Sequence, residues 1–254
     1  MKRSAPLWRA TYGGCLVAAA WLLQVPAARA QATGDGFLFR APGGSIRLWT
    51  GYDRALANSP IFQFVTDTFT LSKSSFGAFA IGADVAVRVA PQAEVVFSAG
   101  WAGSKAGSEY RHWIGSDSLP IRQTTSLERV PLTVSLKWYL VSPGQSIGHF
   151  AWVPARIAPF VGAGGGLMWY RFQQYGDFIN FADSTVVNDA LASEAWTGSL
   201  HAFAGMDVAL GPRYLLTGKA QYTWARSHLG ADFVGPNAVD LSGLSVTVGV
   251  GVRF

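Results

Sequence analysis

The chain ends on a run, LSGLSVTVGVGVRF from Leu241 to Phe254, that constrains the fold more than any other stretch. Leu244, Val246, Val248, Val250, Val252 and Phe254 alternate with Ser245, Thr247, Gly249, Gly251 and Arg253. A period of two puts the first set on one face of a strand and the second on the other. A helix would scatter the same valines around its circumference. Branching at Cβ also favours the pleated strand. A strand with a continuous apolar face needs a sheet to join, and similar alternation recurs upstream.

Residues 1–30 follow another pattern. Lys2, Arg3 and Arg9 form a basic start, Cys15 to Val25 is apolar, and Ala28-Arg29-Ala30 is a small-residue cleavage site before Gln31. This reads as a secretory signal peptide removed on export. Residues 31–44 are expected as a periplasmic lead-in, and 45–254 as the folded domain. The leader holds four bases (Lys2, Arg3, Arg9, Arg29) and no acid, so its removal takes the formal charge from +5 to +1. The basic balance is therefore largely a leader effect, and no nucleic-acid partner is inferred. Cys15 is the single cysteine, which rules out disulfides and thiolate metal sites in the exported chain.

Only 14% of residues are charged and 13% are aromatic. Yet no stretch after residue 30 reaches the ~18 continuous apolar residues of a membrane helix. The apolar residues lie instead at alternate positions in eight segments: about 45–53, 76–90, 93–104, 122–141, 159–172, 194–210, 214–226 and the terminal run. Pro131 within the fourth suggests a bulge. Connections after the odd segments (54–75, 105–121, 173–193 and about 228–240) are long and polar. Those at 90–92 and 211–213 are tight, and 142–158 is intermediate. Such asymmetry is that of a membrane barrel with short periplasmic turns and long extracellular loops.

The aromatics give a second line of argument. Tyr52, Trp101, Trp169, Trp196, Tyr222 and Trp224 fall near one end of their segments, and Trp138, Tyr214 and Phe254 near the other. Ten steps from Tyr214 to Trp224, at ~3.3 Å each and a tilt of ~40°, span roughly 25 Å, the height of a barrel's apolar band. A soluble β-sandwich has no reason for that spacing. The fold class expected is all-β, an eight-stranded antiparallel up-and-down transmembrane β-barrel.

With the apolar faces turned to lipid, the opposite faces line the lumen. They carry Asp84, Arg88, Glu94, Lys137, Asp207, Lys219 and Arg253. An eight-stranded barrel is just wide enough for side chains to fill it. These charges are expected to pair, because an unpaired buried charge is costly. Glycines such as those of Gly162-Ala-Gly-Gly-Gly166 relieve crowding there; the run lacks the ending of a phosphate loop. Within 54–75, Ile61, Phe62, Phe64, Val65 and Phe69 have helical spacing. A helix lying on the barrel rim is expected, the alternative being a plug in the lumen.

The eight strands, the loop asymmetry and the terminal Phe254 resemble the OmpX/OmpW-like superfamily of outer-membrane β-barrels. The resemblance covers residues 34–254 and implies an outer-membrane location, with lipid and lipopolysaccharide around the barrel. It also implies that Val250, Val252 and Phe254 are read as an insertion signal by the barrel-assembly machinery. The OmpW-like branch implies a path for small hydrophobic molecules; the OmpX-like branch implies a structural or adhesive role through loops, here carrying Trp113, Phe178 and Phe181. No reaction is read from the sequence. The four histidines are scattered, His201 near Ser199 lies in mid-strand, and no catalytic, metal or cofactor motif is present. The expectation is a monomeric, non-enzymatic barrel without a cofactor, with a structural or surface-interaction role; a passive channel for small, including hydrophobic, solutes is the alternative, and an outer-membrane lipid-modifying enzyme stands behind both.

Overall fold

A strand whose outer face is apolar can stand in lipid only when its backbone groups are all bonded within the sheet. The computed structural model meets that demand by closure. It describes residues 36–114, 119–148, 150–180, 185–230 and 238–254. The expected leader and the first lead-in residues lie outside these, as do Phe181 and His149. Strands β1 (Gly44–Ala55), β2 (Gly77–Ala90), β3 (Ala93–Ile114) and β4 (Pro120–Tyr139) pair in sequence, each antiparallel to the last. After a small hairpin, β5 (Gly144–Ile147) and β6 (Ala151–Pro154), the wall continues through β7 (Ile157–Asn180), β8 (Thr185–Ala209) and β9 (Tyr214–His228). The last strand is β10 (Ala238–Asp240) and β11 (Gly243–Arg253), both on β9. Finally β11 pairs with β1, from Ser45 opposite Arg253 to Ala55 opposite Gly243. The wall is a ring of eight strands with β11 as its seam.

The terminal run thus obtains both partners. Ile46 faces Val252, Leu48 faces Val250 and Tyr52 faces Val246 on the outer surface. Val246, Val248, Val250, Leu48, Ile81, Val87, Leu132, Leu136, Leu200 and Met206 are all exposed. An uninterrupted apolar belt of this kind has no place in water. Aromatics border it. Trp169 pairs with Trp196, and Trp101 lies opposite Ile81, near one end; Trp138, Tyr214 and Phe254 are exposed near the other. Just beyond the tryptophans, Glu128, Arg171 and Glu194 occupy one cross-strand row, with Arg171 3.6 Å from Glu194. The outer surface changes from apolar to charged within about two residues there.

Three sequence expectations are corrected. Segments 105–121 and 173–193 are not simply loops. β3 with β4, and β7 with β8, continue as paired ribbons to Ile114–Pro120 and Asn180–Thr185. These strands have 20 to 25 residues against the ~9–11 that cross a membrane. Backbone pairing simply continues past the belt, and polar side chains are no obstacle to it in water. Pro131 makes no bulge: the same register holds on both sides of it, and Pro131 lies opposite Met168 of β7. Only the bonds near its missing N–H are interrupted.

The third correction concerns residues 61–69. Helix α1 (Pro60–Thr68) does form, begun by proline in its first turn. It does not lie on the rim. Ile61, Phe62 and Val65 are buried with Leu127, Met168, Tyr170 and Phe172, on the inward faces of β4 and β7, and with Phe76, Val239 and Leu241. Phe62 meets Phe76 edge-on at 4.7 Å and Phe172 at 5.8 Å. An apolar cap therefore fills one mouth of the barrel, called below the ribbon end; the other is the turn end.

Candidate functional site

The interior is built in layers, each set by which inward side chains the registers bring level. At the turn end the chain folds back over the opening. Leu38 and Trp152 exchange backbone hydrogen bonds, at 2.9 and 2.7 Å. The Trp152 ring is buried, with the guanidiniums of Arg88 and Arg253 5.6 and 5.7 Å from it. The intermediate connection 142–158 is thus a hairpin that delivers one tryptophan onto two cations, a favourable arrangement for the ring's negative face.

The next layer holds the charges. Arg47 is the direct cross-strand neighbour of Asp84, Arg88 of Glu94, and Glu94 of Lys137. The corresponding ion pairs measure 3.6, 3.9 and 3.5 Å. Asp207 ties opposite walls together. It accepts from Lys137 Nζ at 2.6 Å, Tyr139 Oη at 2.7 Å and Thr217 Oγ1 at 2.6 Å, and lies 3.8 Å from Arg47. Asp84 also accepts from Trp49 Nε1 at 2.9 Å and from Ser98. Three cations (Arg47, Arg88, Lys137) and three carboxylates (Asp84, Glu94, Asp207) make a neutral plate. Charges desolvated in this way persist only when so paired and bonded.

Aromatic rings fill the plate's margins. Phe160 faces Gly205 and Phe203 faces Gly162 across β7 and β8. A Cβ on Gly162 would run into the Phe203 ring, and one on Gly205 into that of Phe160. Each phenylalanine thus occupies the volume its partner lacks. Lys137 Nζ lies 4.1 Å from the centroid of Phe160.

Of the seven charges expected in the lumen, the geometry joins Asp84, Arg88, Glu94, Lys137 and Asp207 in this plate. Lys219 and Arg253 have no carboxylate within 4.0 Å among the described residues. Lys219 lies 5.6 Å from the Trp49 and Phe203 rings, and Arg253 bonds to the Pro212 carbonyl at 3.4 Å. Arg47, Asp53 and Arg129 belong to the interior too, and were not singled out. Arg47 was legible from its alternation against Ile46 and Leu48. Arg129 lies just before Val130, where the apolar alternation of the fourth segment begins, and its link to Asp53 at 3.3 Å depends on the closed ring.

Above the plate, His201 Nε2 is 2.7 Å from Ser135 Oγ. His201 therefore pairs with Ser135 and not with Ser199. Among the described residues no carboxylate orients the imidazole, and its Nδ1 is buried without a protein partner, so these residues do not form the relay of a serine nucleophile. Among the described residues no three His, Cys, Asp or Glu side chains gather as a metal-holding group. Between this pair and the cap lies a cavity of about 50 Å³, lined by Trp49, Asp53, Arg129, Met168, Ser199, His201, Lys219 and Gln221 among others. Smaller cavities of about 20 and 10 Å³ lie within the plate. One water needs ~10–15 Å³ of such volume. The spaces take single or few water-sized groups.

No family model and no curated protein matches the chain. Solved structures of outer-membrane proteins do resemble it. OprG from Pseudomonas aeruginosa is 15% identical, with 85% of this chain and 99% of that chain covered and a TM-score of 0.43. Neisserial surface protein A is 13% identical, covering 84% and 97%, with a TM-score of 0.41. AlkL, solved in lipid bilayers, is 15% identical, covering 88% and 94%, with a TM-score of 0.37. The resemblance expected from the sequence is met here only as a likeness to individual outer-membrane proteins. The fold assignment itself rests on the closed ring of the chain's own strands.

Proposed function

We propose that this protein is an integral outer-membrane barrel with a structural or surface-interaction role, working through its projecting ribbons and not through its lumen. One observation carries the reading: the interior is interrupted three times, by the α1 cap, the neutral charge plate and Trp152, while the ribbons extend well past the belt. From Trp101 to Ile114 is thirteen steps, ~43 Å along the strand. In this reading the turn end faces the periplasm, and lipopolysaccharide and lipid surround the belt. The assembly machinery engages Val250, Val252 and Phe254, and the barrel is a monomer that binds no cofactor. A non-enzymatic role is supported by the isolation of His201 and Ser135 beneath the cap.

Planar-bilayer recordings of the purified full chain test the reading. Steady conductance is not expected, either in the unmodified protein or after removal of residues 60–68, because the charge plate remains. Steady conductance in the unmodified protein would overturn it in favour of a passive channel. Lipid A acyl-chain composition should be unchanged by expression of the protein; an altered pattern would establish an enzyme instead.

A further inference from the structure

Among the described residues, the barrel interior has more cations than its carboxylates can neutralise. Arg47, Arg88, Arg129, Lys137, Lys219 and Arg253 stand against Asp53, Asp84, Glu94 and Asp207. The charge plate is balanced, and Arg129 is matched by Asp53. Arg253 is at the turn end beside Trp152. The remaining cation, Lys219, lines the cavity of about 50 Å³ beneath the cap. Two other polar groups line the same cavity without hydrogen-bond partners, Ser199 Oγ and His201 Nδ1, on residues 4% and 3% exposed. Buried polar atoms are normally bonded, so such a pair in one cavity calls for an occupant.

We propose that this cavity binds a small monovalent anion, chloride or an ion of its size, held by Lys219 and Ser199 with His201 and Arg129 at its edge. The lining favours negative charge. Its one carboxylate, Asp53, is already held by Arg129, and Arg129 Nε is a further buried group without a partner. When Ser135 donates to His201 Nε2, Nδ1 carries the proton and points a donor to the site. Trp49 and Met168 supply apolar wall, and the cap and the lipid around the barrel lower the local dielectric. The attraction of Lys219 for an anion is thereby strengthened over its value in water. The volume admits chloride or bromide with little hydration and excludes an anion as large as gluconate.

Bromide is the probe. Crystals of the full barrel folded in sodium bromide are expected to give an anomalous peak in the cavity, beside Lys219. In parallel, the urea midpoint in detergent is measured in chloride and in gluconate at equal ionic strength. Stability should rise with chloride and stay flat with gluconate. In Lys219→Gln the two salts should coincide, and Ser199→Ala, which keeps the charge, should need on the order of tenfold more chloride for the same gain. Ser199→Ala also serves where Lys219→Gln does not fold. A cavity holding only water in the bromide crystals, or identical chloride and gluconate curves for the unmodified protein, would overturn the proposal.

Discussion

Replacing Asp207 by asparagine removes an acid that reaches three cation- or hydroxyl-bearing elements at once. The amide oxygen still accepts from Lys137, and Thr217 can reverse its hydroxyl, so shape and most bonds survive. What is lost is charge: the plate falls from three cations and three carboxylates to three and two. Lys137 is 1% exposed and keeps Glu94 at 3.5 Å, while Arg47 keeps Asp84 at 3.6 Å. Breaking a buried pair by removing one member costs ~3–5 kcal/mol. With those partners retained, the lower end applies, about 3 kcal/mol, or more than a hundredfold in the folding equilibrium. The assay is reversible urea unfolding in micelles or vesicles, followed by tryptophan fluorescence. The companion variant Asp207→Asn with Lys137→Met restores a balance of two and two, and should regain at least ~1.5 kcal/mol, a coupling within the usual range for touching residues. A loss below ~0.5 kcal/mol for the single variant, the scale of ordinary surface changes, would refute the reasoning. So would a double variant as unstable as the two single effects added.

Val248, 49% exposed at mid-height of the belt, should tolerate Leu but lose ~2–4 kcal/mol as Arg when the barrel is folded into bilayers; an Arg effect near zero would argue against lipid around that face. Deleting Val252 to Phe254 removes the bonds from the amides of Gly43 and Gly44 to the Phe254 carbonyl, at 2.7 and 3.2 Å, along with part of the seam. The heat-sensitive compact band on gels of unheated samples should shrink sharply, whereas a normal band would show that the seam closes without it. Tyr110 lies in the cap region beyond the belt, 4.6 Å edge-on from Phe69, and its phenol is raised above its ordinary value of 10.0 by burial. A raised acid contributes stability that is complete below the unfolded value and lost as pH rises through the folded one. The cap should therefore loosen above pH 10, earlier in the native protein than in Tyr110→Phe, as seen by cap proteolysis at graded pH; equal pH profiles would remove Tyr110 from that role.

The alternation of Leu244 to Phe254, and its echoes upstream, depended on nothing beyond neighbours two residues apart. Strand faces, the apolar belt and the aromatic borders were therefore legible in the linear chain, and closure followed because lipid tolerates no open edge. Arg88 and Glu94 flank a tight turn, so their approach was within reach of the same reasoning. Other features needed the ring. Asp207 meets Lys137 and Arg47 only because the registers of separate hairpins bring three distant strands level. Lys219 has no carboxylate within 4.0 Å among the described residues for the same reason: Asp84, the acid near it, is already taken up by Arg47. Helix α1 could be recognised from its spacing, but a helix with one apolar face will lie wherever apolar surface is offered. The inward faces of Leu127, Tyr170 and Phe172, inside the expected strands but turned to the closed ring's interior, offered it. Trp152 likewise became a stopper only when Arg88 and Arg253 were set at the same mouth. Local period determined the wall of this barrel, and the long-range register of eight strands decided what fills it.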